Sequence, residues 1–240
     1  MSISDKLIII AENQQNVFNA GEKLQYDVFW DNFQDYGKRT NYQHTFLNND
    51  NTDVGTGWND KNFIPKYDMR PVGSNNYMFY RIGVGDFKRL FEESEIVIDF
   101  ANVTKFQYGF AYSKITQLGI LDFSECVNLT SAFEGCKNLI SIDKLKLRDD
   151  GDVILTQAFT STPNLENILI EGCIGNKVDF GSCSKLSKDS IISIVNALSN
   201  TVDSYIVFSK VAIENAFGSI GNTEWLNLIK PKYNWNVILV

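Results

Sequence analysis

The chain of 240 residues contains one histidine, His44, and only 4 prolines. A lone histidine with no Ser or Cys motif beside it gives no basis for a hydrolytic triad or a histidine-rich metal site. No stretch reaches the roughly 18 apolar residues that a membrane helix needs. The N-terminal apolar run Leu7–Ile10 follows Asp5 and leads into Glu12, which is not a signal-peptide pattern, so no general secretory export is expected. Basic clusters are missing too. The stretch 144–148 (KLKLR) runs straight into Asp149 and Asp150, and a net charge of -7 argues against nucleic acid as partner. The 4 cysteines, Cys126, Cys136, Cys173 and Cys183, fit neither zinc spacing nor a redox C-x-x-C, and are read as buried thiols ahead of a disulfide or a reactive site.

What the chain does have is self-similarity. Residues 97–110 (VIDFANVTKFQYGF) match residues 120–133 (ILDFSECVNLTSAF) at nearly every apolar position. Residues 155–159 (LTQAF) repeat 129–133 (LTSAF), and 179–186 (DFGSCSKL) repeat 122–129 (DFSECVNL). A period of about 20–30 residues means one supersecondary unit stacked on copies of itself, each covering its neighbour's apolar face. Strands are expected at 97–100, 121–123, 145–147 and 168–170. Phe110, Phe133 and Phe159 should stack in one core. Cys126 and Cys183 are aligned with each other and with Val103. Asn138 and Asn164 are expected to bond their own backbone in turns.

Outside the repeats, apolar residues at Leu7, Ile10, Val17, Leu24 and Val28 predict a helix over 5–34. It is either a short parallel coiled coil or an amphipathic helix on its own domain. Residues 36–76 are crowded with Gly, Asn and Asp around Trp58, Phe63 and Tyr67, which predicts an irregular, turn-rich segment covering the first open face of the repeats. A strand is expected at 77–82. After the repeats come a helix capped by Ser187, a strand at 205–208, a helix from Thr223 to before Pro231, and a last strand at 235–240. The domain reading is 1–35 helical and able to oligomerise, 36–95 irregular N-terminal cap, 96–186 repeats, and 187–240 an α/β cap. The fold class is α+β, a solenoid of stacked short strands.

The pattern DFSxCxxLTxAFxxCxxLxxI at 122–142 resembles the BspA-like class of leucine-rich repeat. Residues 11–21, 26–33 and 58–68 look like a further signature, one associated with repeat proteins of gut Firmicutes and their phages or prophages. The resemblance departs by a one-residue contraction near Ile115 and an acidic insertion at 149–152, so this copy should stack irregularly. It implies a non-enzymatic protein, virion- or tail-associated, that recognises a host-surface glycan or protein, with other virion proteins as partners. The alternative is a bacterial scaffold or adhesin, cytoplasmic or at the surface by a route without a signal peptide. A cell-wall glycan hydrolase is a remote third. No catalytic residue, metal ligand or cofactor is implied, and neither nucleic acid nor membrane is an expected partner.

Short motifs add little. Gly83 and Gly85 lack the rest of a dinucleotide fingerprint, Asp179–Gly181 is an isolated DFG, and residues 149–152 (DDGD) read as a hairpin turn ahead of a cation site. Aromatic rings are where ligand contact is expected: Tyr108, Tyr112, Trp58, Tyr77 and Tyr80. Of these, Tyr108 aligns with Ser131 and Gln157, which predicts an outward-facing position.

Overall fold

The computed structural model describes residues 73–81, 99–200 and 204–240. The helix expected over 5–34, most of the irregular segment, Trp58 and His44 lie outside the described residues. The described residues form a mixed helix and strand structure whose strands all pair in parallel, in small sheets, none of which closes into a barrel. The first sheet pairs β1 (Gly73–Ser74) with β2 (Val103–Lys105). The second orders β3 (Gln117–Asp122), β4 (Ser141–Lys146) and β5 (Asn167–Glu171), with a register slip between Ile142 and Leu145. The third orders β6 (Val178–Phe180), β7 (Ser204–Phe208) and β8 (Trp235–Leu239). Among the described residues three α-helices accompany these sheets, α1 (Lys188–Ala197), α2 (Lys210–Phe217) and α3 (Thr223–Ile229), the last running into a 3-10 turn at Lys230–Lys232.

Between the strands, successive segments run side by side. Tyr77 N–H donates to Gln107 O at 2.9 Å, Tyr108 N–H to Thr130 O at 3.0 Å, and Ser131 N–H to Thr156 O at 2.9 Å. The aligned residues share one conformation: φ is +57° at Tyr77, +55° at Tyr108, +54° at Ser131 and +56° at Gln157. A second left-handed row follows at Arg81, Tyr112, Gly135 and Ser161. A side chain in this region costs about 1–2 kcal/mol, so each row exists because the bonds between neighbouring segments fix the backbone there.

The apolar positions form one core. Phe110 stacks on Phe133 with centroids 5.7 Å apart, and Phe133 on Phe159 at 5.3 Å. The ladder extends to Phe79 at 5.2 Å from Phe110, to Phe180 at 4.6 Å from Phe159, and on to Phe208. Every one of these rings is fully buried, which stabilises the fold by about 1.5–3 kcal/mol per ring.

The open edge of β5 is closed by α1. Ser190 Oγ accepts from Ile168 N–H at 2.9 Å, and Ser193 Oγ accepts from Ile170 N–H at 2.8 Å. Ser187 is the N-cap, its side chain accepting from Ser190 N–H. Farther on, Lys232 Nζ donates to Leu198 O at 2.5 Å and Trp235 Nε1 to Ser199 O at 2.6 Å, tying the C-terminal segment to the end of α1.

Several sequence expectations are corrected. Residues 76–81 are turns, not a strand, and they already pair with 107–111, so side-by-side segments begin before residue 96. Residues 99–100 are not strand; the paired strand in that segment is β2, just beyond. Cys183 shares its place with Thr162, whose Oγ1 lies 3.1 Å from its Sγ, and Phe180 stacks on Phe159, not in the row of Phe123. Asn164 Nδ2 reaches Lys137 O in the neighbouring segment at 2.7 Å instead of its own backbone. Residues 149–152 turn between parallel strands, so they cannot be a hairpin; Gly151 takes φ +76° there, and Asp152 N–H donates to Asp150 Oδ1. Ser131 is fully buried, between the larger Tyr108 and Gln157 of adjacent segments, so a shared position does not guarantee exposure.

Candidate functional site

The left-handed rows carry the tyrosines outward. Tyr77 and Tyr108 occupy the first row and stack at 4.8 Å with planes 9° apart. Tyr80 meets Tyr77 edge-on at 5.5 Å and Tyr112 edge-on at 5.7 Å. The Arg81 guanidinium sits 5.2 Å from the Tyr80 centroid and 6.0 Å from that of Tyr112, within cation–π range. Four of the five aromatics singled out in the sequence therefore form one continuous ledge; Trp58 lies outside the described residues. Tyr112 is 43% exposed, while Tyr77, Tyr80 and Tyr108 are half-buried. Tyr108 is thus less outward than its alignment predicted, because its ring leans on Tyr77.

Residues that the sequence did not flag hold the ledge. Tyr112 O–H donates to the Glu134 carboxylate of the next segment. That bond, then burial, pushes the phenol up to about 12. The Tyr77 phenol is also raised, by burial first and then by Tyr108 and Tyr80. Asn76 and Gln107 pair beside the rings: Gln107 N–H donates to Asn76 Oδ1 at 2.8 Å, and Asn76 Nδ2 to Gln107 Oε1 at 3.2 Å. Gly135 stands in the row of Tyr112, and its missing side chain leaves room for the Tyr112 ring. The signal available in advance was that Gly in a row otherwise occupied by Arg, Tyr and Ser. Beneath the ledge, Ser131 Oγ is buried with no hydrogen-bond partner.

Other groups are engaged structurally. Arg148 Nε donates to Asp150 at 2.9 Å, and with the turn amide of Asp152 this holds the Asp150 carboxyl at about 2. Among the described residues no cluster of three or more His, Cys, Asp or Glu could hold a metal ion. Burial pushes the Cys126 and Cys183 thiols up to about 11 and that of Cys136 to about 12. The DFG aspartate, Asp179, accepts from Gly181 N–H at 2.7 Å and simply closes a turn. On the outer face of β3–β4–β5, Lys144 pairs with Glu171 at 2.8 Å and Lys146 with Asp122 at 3.3 Å, a solvated face of matched charges. A shallow groove of about 480 Å³ between β5 and α1 has, among the described residues, Asp189 as its only ionisable lining residue.

No protein-family model, curated protein or solved structure matches this chain. Among the described residues no helix is long and apolar enough to cross a membrane.

Proposed function

We propose that this chain is a non-enzymatic recognition protein, a leucine-rich-repeat-like solenoid that meets its partner at the tyrosine ledge. The convergence of Tyr77, Tyr80, Tyr108 and Tyr112 on one surface carries this reading. The solenoid is supported by the parallel registers, the recurring left-handed rows and the phenylalanine ladder. The ring geometry favours a protein surface over a sugar. Stacking on a sugar needs a free ring face, yet Tyr77 and Tyr108 turn a face to each other and Arg81 lies over Tyr80. The ledge combines tyrosine rings with a guanidinium, residue types that dominate protein–protein hot spots.

On the resemblance at 11–21, 26–33 and 58–68, that partner is a virion protein or a protein on the host surface, and the chain rides on a phage particle. A bacterial scaffold or adhesin is the second reading, and co-sedimentation with particles separates the two. The direct test presents the full chain with arrayed bacterial wall glycans and purified host-envelope proteins, beside a Tyr108→Asn/Tyr112→Asn variant. Asparagine is chosen because it holds the left-handed backbone at these positions with less strain than alanine. Binding to an envelope protein that drops in the variant, with melting little changed, is the expected result. Equal binding by the variant, binding confined to glycans, or turnover of wall glycan by the chain would each overturn it.

A further inference from the structure

We propose that the free edge of β8 pairs with β8 of a second copy, antiparallel across a two-fold axis. This surface is separate from the tyrosine ledge. In the third sheet β8 is the last strand, and among the described residues nothing pairs with its far side. Val240 N–H donates to Phe208 O at 3.0 Å and Val240 O accepts from Lys210 N–H at 2.7 Å, so Val240 faces β7. By the two-residue period of a strand, Asn236 and Ile238 face β7 as well. The backbone groups of Trp235, Val237 and Leu239 therefore point to the open side.

Among the described residues this edge has none of the usual guards. Trp235–Val240 contains no charged side chain and no proline, and its register with β7 runs unbulged from Ser204↔Trp235 to Phe208↔Leu239. The edge of β5 is closed by a helix and two serine hydroxyls, whereas among the described residues nothing comparable lies along β8. Apolar side chains flank the edge: Ile238 is 37% exposed, Val240 64% and Tyr233 82%.

Charge and symmetry select a second copy as occupant. Residues 204–240 carry Lys210, Lys230 and Lys232 against Glu214 and Glu224, close to neutral in a chain of net charge -7, so two copies meet at this end with little of the repulsion that the whole chain's charge would impose. Centring the axis on Val237 pairs Trp235 with Leu239 of the second copy and Asn236 with its Ile238. Inner faces then continue into inner faces, and the outward amides of Trp235, Val237 and Leu239 all find carbonyls.

Light scattering and hydrogen exchange on the full chain, over a concentration series, test this. The expected result is a concentration-dependent dimer in which amides of 235–239 gain protection as the dimer fills. Ile238→Lys puts a charge beside the edge and should weaken the dimer about tenfold or more, with melting little changed. Val237→Pro removes an outward N–H without touching the bonds to β7 and should do the same, a second readout should either variant fold poorly. A monomer at every concentration overturns the proposal. So does a dimer that both variants leave intact, or protection of 235–239 that does not depend on concentration.

Discussion

The Tyr112 ring lies where a side chain at Gly135 would stand: a Cβ there would come within 2.5 Å of Tyr112 Cδ1. Gly135 also has φ +68°, so the position refuses a side chain twice, by contact and by backbone. Gly135→Ala is expected to destabilise by about 2 kcal/mol or more, since the left-handed backbone alone costs roughly 1–2. Urea unfolding measures it. Adding Tyr112→Ala should restore only the contact part, leaving the double variant less stable than Tyr112→Ala alone. Full restoration would show that the backbone at 135 is not constrained.

The phenol of Tyr112 gives a spectroscopic handle. The Glu134 carboxylate accepts its proton and, with burial, raises the group from 10.0 to about 12. The folded state holds this proton more tightly than the unfolded chain, so the contribution to stability is complete below about pH 10. It is lost as pH rises through about 12. Ultraviolet titration should show Tyr112 ionising late, and Glu134→Gln should bring it back toward the ordinary value. A titration unchanged by Glu134→Gln would break the assignment.

Phe133 and Tyr108 separate core from ledge. Phe133 is fully buried between Phe110 and Phe159, and Phe133→Ala should cost about 3–5 kcal/mol. Tyr108 is half-buried and stacked on Tyr77 at φ +55°; alanine keeps the left-handed strain that the tyrosine already bears, so Tyr108→Ala loses only ring contact, about 0.5–1.5 kcal/mol. Tyr108→Asn should cost less than Tyr108→Ala, because asparagine relieves part of that backbone strain, and thermal melts resolve the two. The reverse order would mean that the backbone at 108 is not strained enough to separate them.

These rows show what a sequence displays and what it hides. The phenylalanine ladder was legible because its fully buried rings recur inside the same local apolar pattern, 23 residues from Phe110 to Phe133 and 26 from Phe133 to Phe159. The left-handed rows were not, because Tyr77, Tyr108, Ser131 and Gln157 share a backbone state and no chemistry. Four tyrosines could be marked for contact from their types and alignment, but Arg81 and Glu134 carried no signal until the segments were laid side by side. Cys183 was placed with Cys126 since both follow an Asp-Phe turn, and that turn is real: Asp122 Oδ1 accepts from Ser124 N–H as Asp179 Oδ1 does from Gly181 N–H. The motif encodes a local bend, and the core puts that bend to use in two different rows. Helix α2 escaped notice because its eight residues bury only Ala212, Ile213 and Phe217, too short a stripe for a helical period to emerge.

The closure of β5 by α1 yields a sharper prediction than its size suggests. Ser190 Oγ accepts from Ile168 N–H and lies 3.0 Å from Glu166 O, and the residue is 2% exposed, so water cannot replace it. Ser190→Ala leaves the Ile168 amide unpaired in a buried place and should destabilise by about 1–3 kcal/mol. Ser193 is half-buried, and Ser193→Ala should cost less, because solvent can reach the Ile170 amide that it serves. Hydrogen exchange reads the two directly: Ile168 should exchange markedly faster in Ser190→Ala, with Ile170 little altered, and the converse in Ser193→Ala. Uniform acceleration of β5 in both variants would mean that α1 shields the edge by packing alone, and that the hydroxyls do not complete the sheet.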